Sequence, residues 1–257
     1  MKAAIVIPAR YASTRLPGKP LLAETGKPLI QHVYENALKV REAACVIVAT
    51  DDARIFDAVT GFGGKAVMTS DAHETGSARI AEAAETIDAD IIVNIQGDEP
   101  EIEPHHIDEL INLQATSGAF ASTLACPFPS DATAGPGSPE DPSAVKALLG
   151  AALDENARWA RFFTRHQAVW PRDADGRITR PERYYLHIGV YAFSKASLMA
   201  FAAAPAGALE KGERLEQLRI LERGEKIAVG LIPRASPGID TPEDYEAFVA
   251  RVSKGAA

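Results

Sequence analysis

Apolar residues in this chain gather into short unbroken runs, held apart by polar stretches rich in Gly and Pro. Ala3–Ile7 is the first run and ends in β-branched residues, the signature of a strand covered on both faces. Ala44–Thr50 and Asp90–Gln96 repeat it, and Lys65–Met68 is a shorter version after the Gly61, Gly63 and Gly64 turn. Between these runs the spacing becomes helical. Leu29, Ile30, Val33, Ala37 and Val40 recur with that period behind Pro28, and Ser77–Ile87 reads as a further helix capped by Ser77. Strand, helix, strand, helix, strand is the alternation of a parallel α/β sheet. Pro8 ends the first strand's ladder in this reading, because it has no N–H to donate. Asp51-Asp52 either caps a helix from Ala53 or faces a ligand, and the cap is the better reading.

The pattern changes in the later half. Pro100 and Pro104 lead into a helix to about Gln114, with His105 and His106 facing solvent at its start. Gly118–Cys126 is a fifth strand. Pro127–Pro142 has no periodicity and is thick with Pro, Gly, Ser and Asp, so it reads as a loop or flap and as the seam between two halves. Ala144–Leu149, Trp159–Phe163 and Lys226–Ile232 read as strands, with a turn over Gly150–Asn156. Tyr185–Phe193 alternates, placing Leu186, Ile188, Val190 and Ala192 on one face and His187, Gly189, Tyr191 and Phe193 on the other. Gly inside a strand marks close approach of a ligand or another backbone, so this second face is either a pocket wall or a core His packed by Tyr. Leu215–Glu222 is amphipathic, with Leu215, Leu218, Ile220 and Leu221 inward and Glu216 and Gln217 flanking that face at the surface. Thr241, Pro242 and Asp244 supply cap, first-turn proline and an acid three residues on. Asp240 is outside that need and is either a turn acid or a ligand.

Composition adds a boundary and a contrast. A chain of 257 residues, 46% hydrophobic and 24% charged, is an ordinary globular protein with room for a large core. Its net charge of −8 argues against a general nucleic-acid binder. Against that charge, the twelve residues Ala9–Pro20 hold Arg10, Arg15 and Lys19 and no acid, together with Ser13, Thr14 and a Pro17-Gly18 turn. A loop of cations and small residues at the carboxyl end of a first parallel strand suits a polyphosphate. It is not a Walker loop, since Ser13 and Pro20 stand where Gly and Ser or Thr are needed, and no G-x-G-x-x-G follows the strand. Asp90–Gln96 opens into Gly97-Asp98-Glu99-Pro100, a carboxylate beside a tight turn at the ligand edge of a sheet. Mg²⁺ takes one or two protein carboxylates plus phosphate oxygens, so Asp98 is the first metal ligand expected. Cys45 and Cys126 are distant in sequence and lie in apolar runs, which predicts buried free thiols. The amino terminus is too short in apolar residues for a signal-peptide core, and no run approaches a membrane span, so a cytoplasmic location is expected.

IPARYASTRLPGKPL, residues 7 to 21 with its strand, resembles the signature of the 3-deoxy-manno-octulosonate (Kdo) cytidylyltransferases. The likeness extends to His73 with Gly76, Ser77 and Arg79, to Phe163-Thr164-Arg165, to His187-Ile188-Gly189-Val190-Tyr191, and to Leu215-Glu216-Gln217-Leu218-Arg219. It implies a Rossmann-like nucleotidyltransferase fold over 1–257, a mostly parallel central sheet with helices on both faces plus a smaller mixed β second lobe for sugar binding and dimerisation. The implied lobes are 1–127 for nucleotide, 128–232 for sugar and dimerisation, and 233–257 returning to the first. It implies transfer of CMP from CTP to Kdo with release of pyrophosphate, for lipopolysaccharide biosynthesis, in a Mg²⁺-dependent homodimer without nucleic acid or membrane partners. By this resemblance Ala9, Arg10, Ser13, Arg15, Lys19, His73, Ser77 and Arg79 contact the nucleotide, and Arg10, Lys19 and Asp98 are catalytic. Asp98 and Asp240 hold the metal. Gln96, Arg165, His187, Tyr191, Glu216 and Gln217 meet the sugar, Arg165 at its carboxylate. Ala78 stands where the family commonly has an acid. The rivals are a cytidylyltransferase for 8-amino-Kdo or sialic acid, a UTP-loading relative, and a non-catalytic nucleotide-binding protein.

Overall fold

A computed structural model describes residues 1–12, 16–73, 75–169 and 171–255. Its elements in chain order are β1 (Ala3–Ala9), α1 (Leu29–Ala37), β2 (Ala43–Thr50), α2 (Ala53–Gly61), β3 (Ala66–Met68), α3 (Gly76–Glu85), β4 (Ile91–Asn94), α4 (Pro104–Ser117), β5 (Ala121–Pro127), β6 (Lys146–Ala152), β7 (Ala157–Thr164), β8 (Tyr185–Ser194), α5 (Lys195–Ala203), α6 (Ala208–Glu213), α7 (Leu218–Glu222), β9 (Ile227–Leu231) and α8 (Pro242–Gly255). They form two compact units, Met1–Ile111 with Ser236–Ala257, and Asn112–Ala235. The first division falls within α4, ahead of the Pro- and Gly-rich segment that suggests a boundary at 127.

The first unit carries the strand order β3-β2-β1-β4, every pair parallel. Ile5, Val6 and Ile7 are fully buried, which is why this strand reads as a continuous apolar run rather than an alternating one. The helical stripe Leu29, Ile30, Val33, Tyr34 and Ala37 is the buried face of α1, which packs against β1 and β2. Pro8 does not end the ladder as its missing N–H suggests. Pairing with β2 continues to Ala9 opposite Thr50, whereas pairing with β4 ends at Val6 opposite Asn94. The Val6 carbonyl accepts from Ile95, so even-numbered residues of β1 face β4. The absent N–H of Pro8 therefore lies on the side where no strand is left to receive it.

Two further expectations change here. Thr75, not Ser77, caps α3, its hydroxyl accepting from the Ala78 N–H at 3.2 Å. Ser77 is already within the first turn. His106 is buried rather than solvent-facing, because it opens the inward stripe that continues through Ile107, Leu110 and Ile111, while His105 is exposed. Asp52 caps α2 by accepting from the Arg54 N–H at 2.9 Å, which leaves Asp51 for another use. The returning carboxyl-terminal segment joins this unit through a cluster of Leu29, Ile239, Tyr245 and Phe248. Thr241 and Asp244 cap α8 reciprocally, as the Thr-Pro-x-Asp spacing predicts.

The second unit has the order β8-β5-β9-β7-β6, and β6 also pairs with β8, so five strands close on themselves. β5 and β9 are parallel and the other pairs antiparallel. The alternation of β8 is interrupted. Thr123 pairs with Tyr191 but Leu124 pairs with Ile188, so Gly189 and Val190 bulge out of register. The Thr123 hydroxyl lies 2.7 Å from the Val190 carbonyl and 3.1 Å from that of Ile188, serving groups the ladder leaves. β6 continues to Ala152, which shortens the expected turn. α7 begins at Leu218, so Glu216 and Gln217 lie in the turn before it, and Gln217 is buried rather than at the surface. α5 and α6 have no expectation from the apolar pattern. α5 is small and apolar almost all round, which hides its period. Both cysteines are free; Cys126 is buried, and burial pushes its thiol up to about 11, while Cys45 is half-buried. Among the described residues no helix is long and apolar enough to cross a membrane.

Candidate active site

β1 delivers Ala9 and Arg10 to the rim of a cleft of about 330 Å³, lined also by Ala12, Lys19, Gln96, Gly97, Asp98 and Asp240. Three chain segments must approach closely to make it. At Gly97 an added Cβ would lie 3.0 Å from the Pro8 carbonyl oxygen, so glycine allows the β4 exit to turn against β1. At Gly18 the backbone is left-handed, φ +68°, and a Cβ would press on the Tyr11 hydroxyl at 3.2 Å and on its ring at 3.3 Å. The Gly18 N–H donates to the Tyr11 carbonyl, and Arg54 lies over the Tyr11 ring, so the turn that presents Lys19 is braced from two sides. The third segment arrives when the Ile239 N–H donates to the Asp98 carbonyl at 3.0 Å, which sets Asp240 beside Asp98.

Lys19 is the meeting point. Its ammonium donates to Asp98 Oδ2 at 2.7 Å and to the Ile239 carbonyl at 2.8 Å, and stands 3.8 Å from Asp240 Oδ1. Two carboxylates separated by much of the chain therefore gather one positive charge. Glu99 lies behind them, and burial first, then the charges of Asp98 and Asp240, push its carboxyl up to about 8. Among the described residues no three His, Cys, Asp or Glu side chains group as a metal site. Two hard oxygen donors that already hold a cation fit a Mg²⁺ ion completed by phosphate oxygens and water.

Arg10 donates from Nη2 to the His73 carbonyl at 2.5 Å, and His73 Nε2 pairs with Glu82. Glu82 also accepts the Ser70 N–H at 3.0 Å, and that bond first, then the one with His73, hold its carboxyl below the usual range. The basic loop and the His73 loop are thus tied. Arg79 departs from the expected nucleotide contact. Its guanidinium is fully buried, pairs with Asp51 at 2.5 Å and reaches the Thr69 hydroxyl at 2.5 Å, and its Nε has no partner among the described residues. A guanidinium with no exposed surface and these partners holds the loop that carries His73. Ser77 is half-buried in the first turn of α3. Ser13 and Arg15 lie outside the described residues.

The second unit holds its own constellation. The His187 ring lies 5.4 Å from that of Tyr191 and edge-on to Phe163 at 4.9 Å. Burial pushes His187 down to about 3, so the ring is neutral at pH 7. His187 Nε2 is 3.0 Å from the Thr123 hydroxyl, whose single proton goes to the nearer Val190 carbonyl. The proton on His187 is therefore on Nε2, and Nδ1 is an acceptor. Burial, and then the charge of Glu216, raise the Tyr191 hydroxyl well above its usual value. Glu216 Oε2 and Gln217 Nε2 are both buried with no hydrogen-bond partner among the described residues. Each such group left unpaired costs roughly 1–3 kcal/mol, which makes this turn a candidate place for an outside partner. That turn is held by Arg219, which donates to Glu210 at 2.5 and 2.7 Å and to the Phe201 and Ala204 carbonyls. The Arg165 guanidinium donates to the carbonyls of Glu213, Pro142 and Arg214, leaving two of its five N–H groups outside these bonds. The sequence context singles out neither Glu99 nor Glu82, and it offers Asp51 only as a cap or a ligand-facing acid, not as the partner of Arg79. Adjacency to Asp98 is the one signal for the first; the other two act through partners 9 and 28 residues away.

A parallel sheet edge that gathers cations and two converging carboxylates has the donors a metal-bound polyphosphate would need. A cytidylyltransferase family model matches residues 4–227, and the chain belongs to that family. A 3-deoxy-manno-octulosonate cytidylyltransferase of Escherichia coli is 41% identical, over 100% of this chain and 98% of its own length. An 8-amino-3,8-dideoxy-manno-octulosonate cytidylyltransferase of Shewanella sediminis is 41% identical, over 98% of this chain and 99% of its own. A solved CMP:2-keto-3-deoxy-manno-octonic acid synthetase complexed with CTP is 39% identical with a TM-score of 0.87, covering 99% of this chain and all of that one.

Proposed function

We propose that this chain transfers the cytidylyl group of CTP to Kdo, giving CMP-Kdo and pyrophosphate. The observation that carries the reading is the convergence of Asp98 and Asp240 on Lys19 in a cleft that also holds Arg10. A sugar hydroxyl oxygen attacks the α-phosphorus, the bond to the β-phosphate oxygen breaks, and charge grows on the departing pyrophosphate. Arg10 and Lys19 oppose that charge, each charge-assisted contact being worth about 1.5–3 kcal/mol. Asp98 and Asp240 would hold Mg²⁺, which would add charge neutralisation and acidify the attacking hydroxyl, whose proton leaves to water. Ala9, His73 and Ser77 belong to the nucleotide, and Ser13 and Arg15 are assigned there by the family likeness. Gln96 and the second unit's His187 Nδ1, Tyr191, Glu216 and Gln217 belong to the sugar hydroxyls, and the two remaining N–H groups of Arg165 to its carboxylate. The work is positioning and electrostatics, with no side-chain base required. The family likeness alone supports a dimer.

The Shewanella relative favours a second substrate, 8-amino-Kdo, for the same site. Purified protein with Mg²⁺ is offered each of four nucleoside triphosphates with Kdo, 8-amino-Kdo or no sugar, and pyrophosphate is read. Release with CTP and Kdo is expected. Preference for UTP sinks the cytidylyl reading, preference for the amino sugar selects the second substrate, and CTP binding with no turnover on any sugar makes this a binding protein.

A further inference from the structure

Lys19 differs from an ordinary phosphate-binding lysine in how it is held. Its side chain is 13% exposed, and both carboxylates and the carbonyl between them close around the ammonium. The braced Gly18 turn fixes where its stem begins. The position is also the one between Asp98 and Asp240, so the lysine and a divalent cation want the same oxygens.

Granting the nucleotide reading above, we infer that Lys19 is a built-in counter-cation that makes the site select a metal–triphosphate complex over a free divalent cation. A free cation has to break the 2.7 Å Lys19–Asp98 bond. It then leaves an ammonium half-buried beside a second positive charge, with Arg10 in the same cleft, and takes from Lys19 the two carboxylates that form its ion pairs among the described residues. A cation that arrives with a triphosphate brings the anion. The ammonium exchanges carboxylate for phosphate, and the carboxylates exchange ammonium for metal, so no charge is left unpaired at any stage. Nucleotide and metal then favour each other's binding, with a reciprocal coupling. Lys19 is a specificity-determining residue in this role, besides its contact with the phosphates.

Mn²⁺, whose free ion is read by electron paramagnetic resonance, tests this directly without turnover. Mn²⁺ is titrated alone, and again with CTP, into wild-type protein, Lys19→Met and Lys19→Gln, with circular dichroism confirming the fold of each. Wild type is expected to bind Mn²⁺ weakly alone and far more tightly with CTP. Both variants are expected to bind Mn²⁺ alone at least about tenfold more tightly than wild type, since the competing cation is gone. Their gain from added CTP shrinks accordingly, and adding Asp98→Asn to Lys19→Met removes the new site. Equal or weaker binding of Mn²⁺ alone by both variants overturns the counter-cation role while leaving the nucleotide reading in place. Wild-type protein that binds CTP no better with Mn²⁺ than without overturns the nucleotide reading itself.

Discussion

The two units answer the same need, a polar site in a folded protein, in opposite ways. The first unit carries 22 acidic and 12 basic side chains, the second 13 and 15. In the acidic unit the polar groups are already matched: Lys19 with Asp98 and Asp240, Arg79 with Asp51, and His73 hydrogen-bonded to Glu82. In the other the groups are buried, mostly neutral and partly unmatched: a neutral His187, a Tyr191 far from ionising, an orphaned oxygen on Glu216 and an orphaned nitrogen on Gln217. Ion pairs at a cleft suit a ligand of high charge, since exchange of partners costs little where water reaches. Orphaned buried groups suit hydroxyls, because a site left unpaired without its ligand rejects analogues that lack the matching group. Stability and recognition are therefore aligned in the first unit and opposed in the second.

The sharpest way to break that contrast is at Asp98. Asp98→Asn keeps the shape and removes the charge that Lys19 uses and that the proposed metal would use. Turnover is expected to fall on the order of 10³-fold, with a melting temperature within a few degrees of wild type. Retained turnover in a pyrophosphate assay removes the metal assignment. Next in size is Glu216→Gln. Loss of a buried, partly unpaired carboxylate is expected to raise KM for the sugar about tenfold or more and leave KM for CTP unchanged. Thermal stability is expected to stay level or rise by about 1 kcal/mol, because a costly buried acceptor is relieved. A destabilised variant with unchanged sugar KM makes Glu216 a structural residue and ends the contrast.

The pH response of the second unit is a smaller effect. His187 has its folded pKa lowered to about 3 by burial, against about 6.5 unfolded. Below pH 6.5 the unfolded chain binds a proton that the folded one refuses, so stability is complete above that pH. It is lost as pH falls toward 3, at up to about 1.4 kcal/mol per unit. His187→Gln is expected to flatten the decline of melting temperature between pH 6.5 and 4. An unchanged slope shows that the ring gains a proton readily, and with it an ordinary exposed His.

Much of the first unit was legible because its signals are local. A parallel strand buried on both faces is a continuous apolar run, and Thr241-Pro242-x-Asp244 carries its own cap. Asp98 stood out because a carboxylate beside Gly97 at a strand end has few structural uses. What could not be read was pairing at a distance. Arg79 has an amphipathic neighbourhood that looks like surface, yet Asp51 receives it across 28 residues and makes its burial tolerable. His106 and Gln217 follow the same rule, since a polar residue on an inward stripe is indistinguishable from one on a solvated face until its neighbours are placed. The bulge at Gly189 is invisible to a period-two pattern, which assumes every residue is paired.

The smallest expected effect separates two neighbours on α3. Thr75 accepts the Ala78 N–H, one of the donors a helix start leaves without an internal partner. Ser77, within the first turn, has no such duty. Thr75→Ala is expected to cost about 1 kcal/mol and lower the melting temperature by a few degrees, whereas Ser77→Ala leaves it unchanged within a few tenths. Because α3 also carries Arg79 and Glu82, fraying its start loosens the loop that holds His73 and, through the His73 carbonyl, Arg10. KM for CTP should therefore rise two- to threefold in Thr75→Ala with kcat nearly constant, by the usual reading of lost binding common to ground and transition states. If Ser77→Ala is the destabilised variant and Thr75→Ala is silent, the cap has been assigned to the wrong residue, and the coupling between helix start and basic loop goes with it.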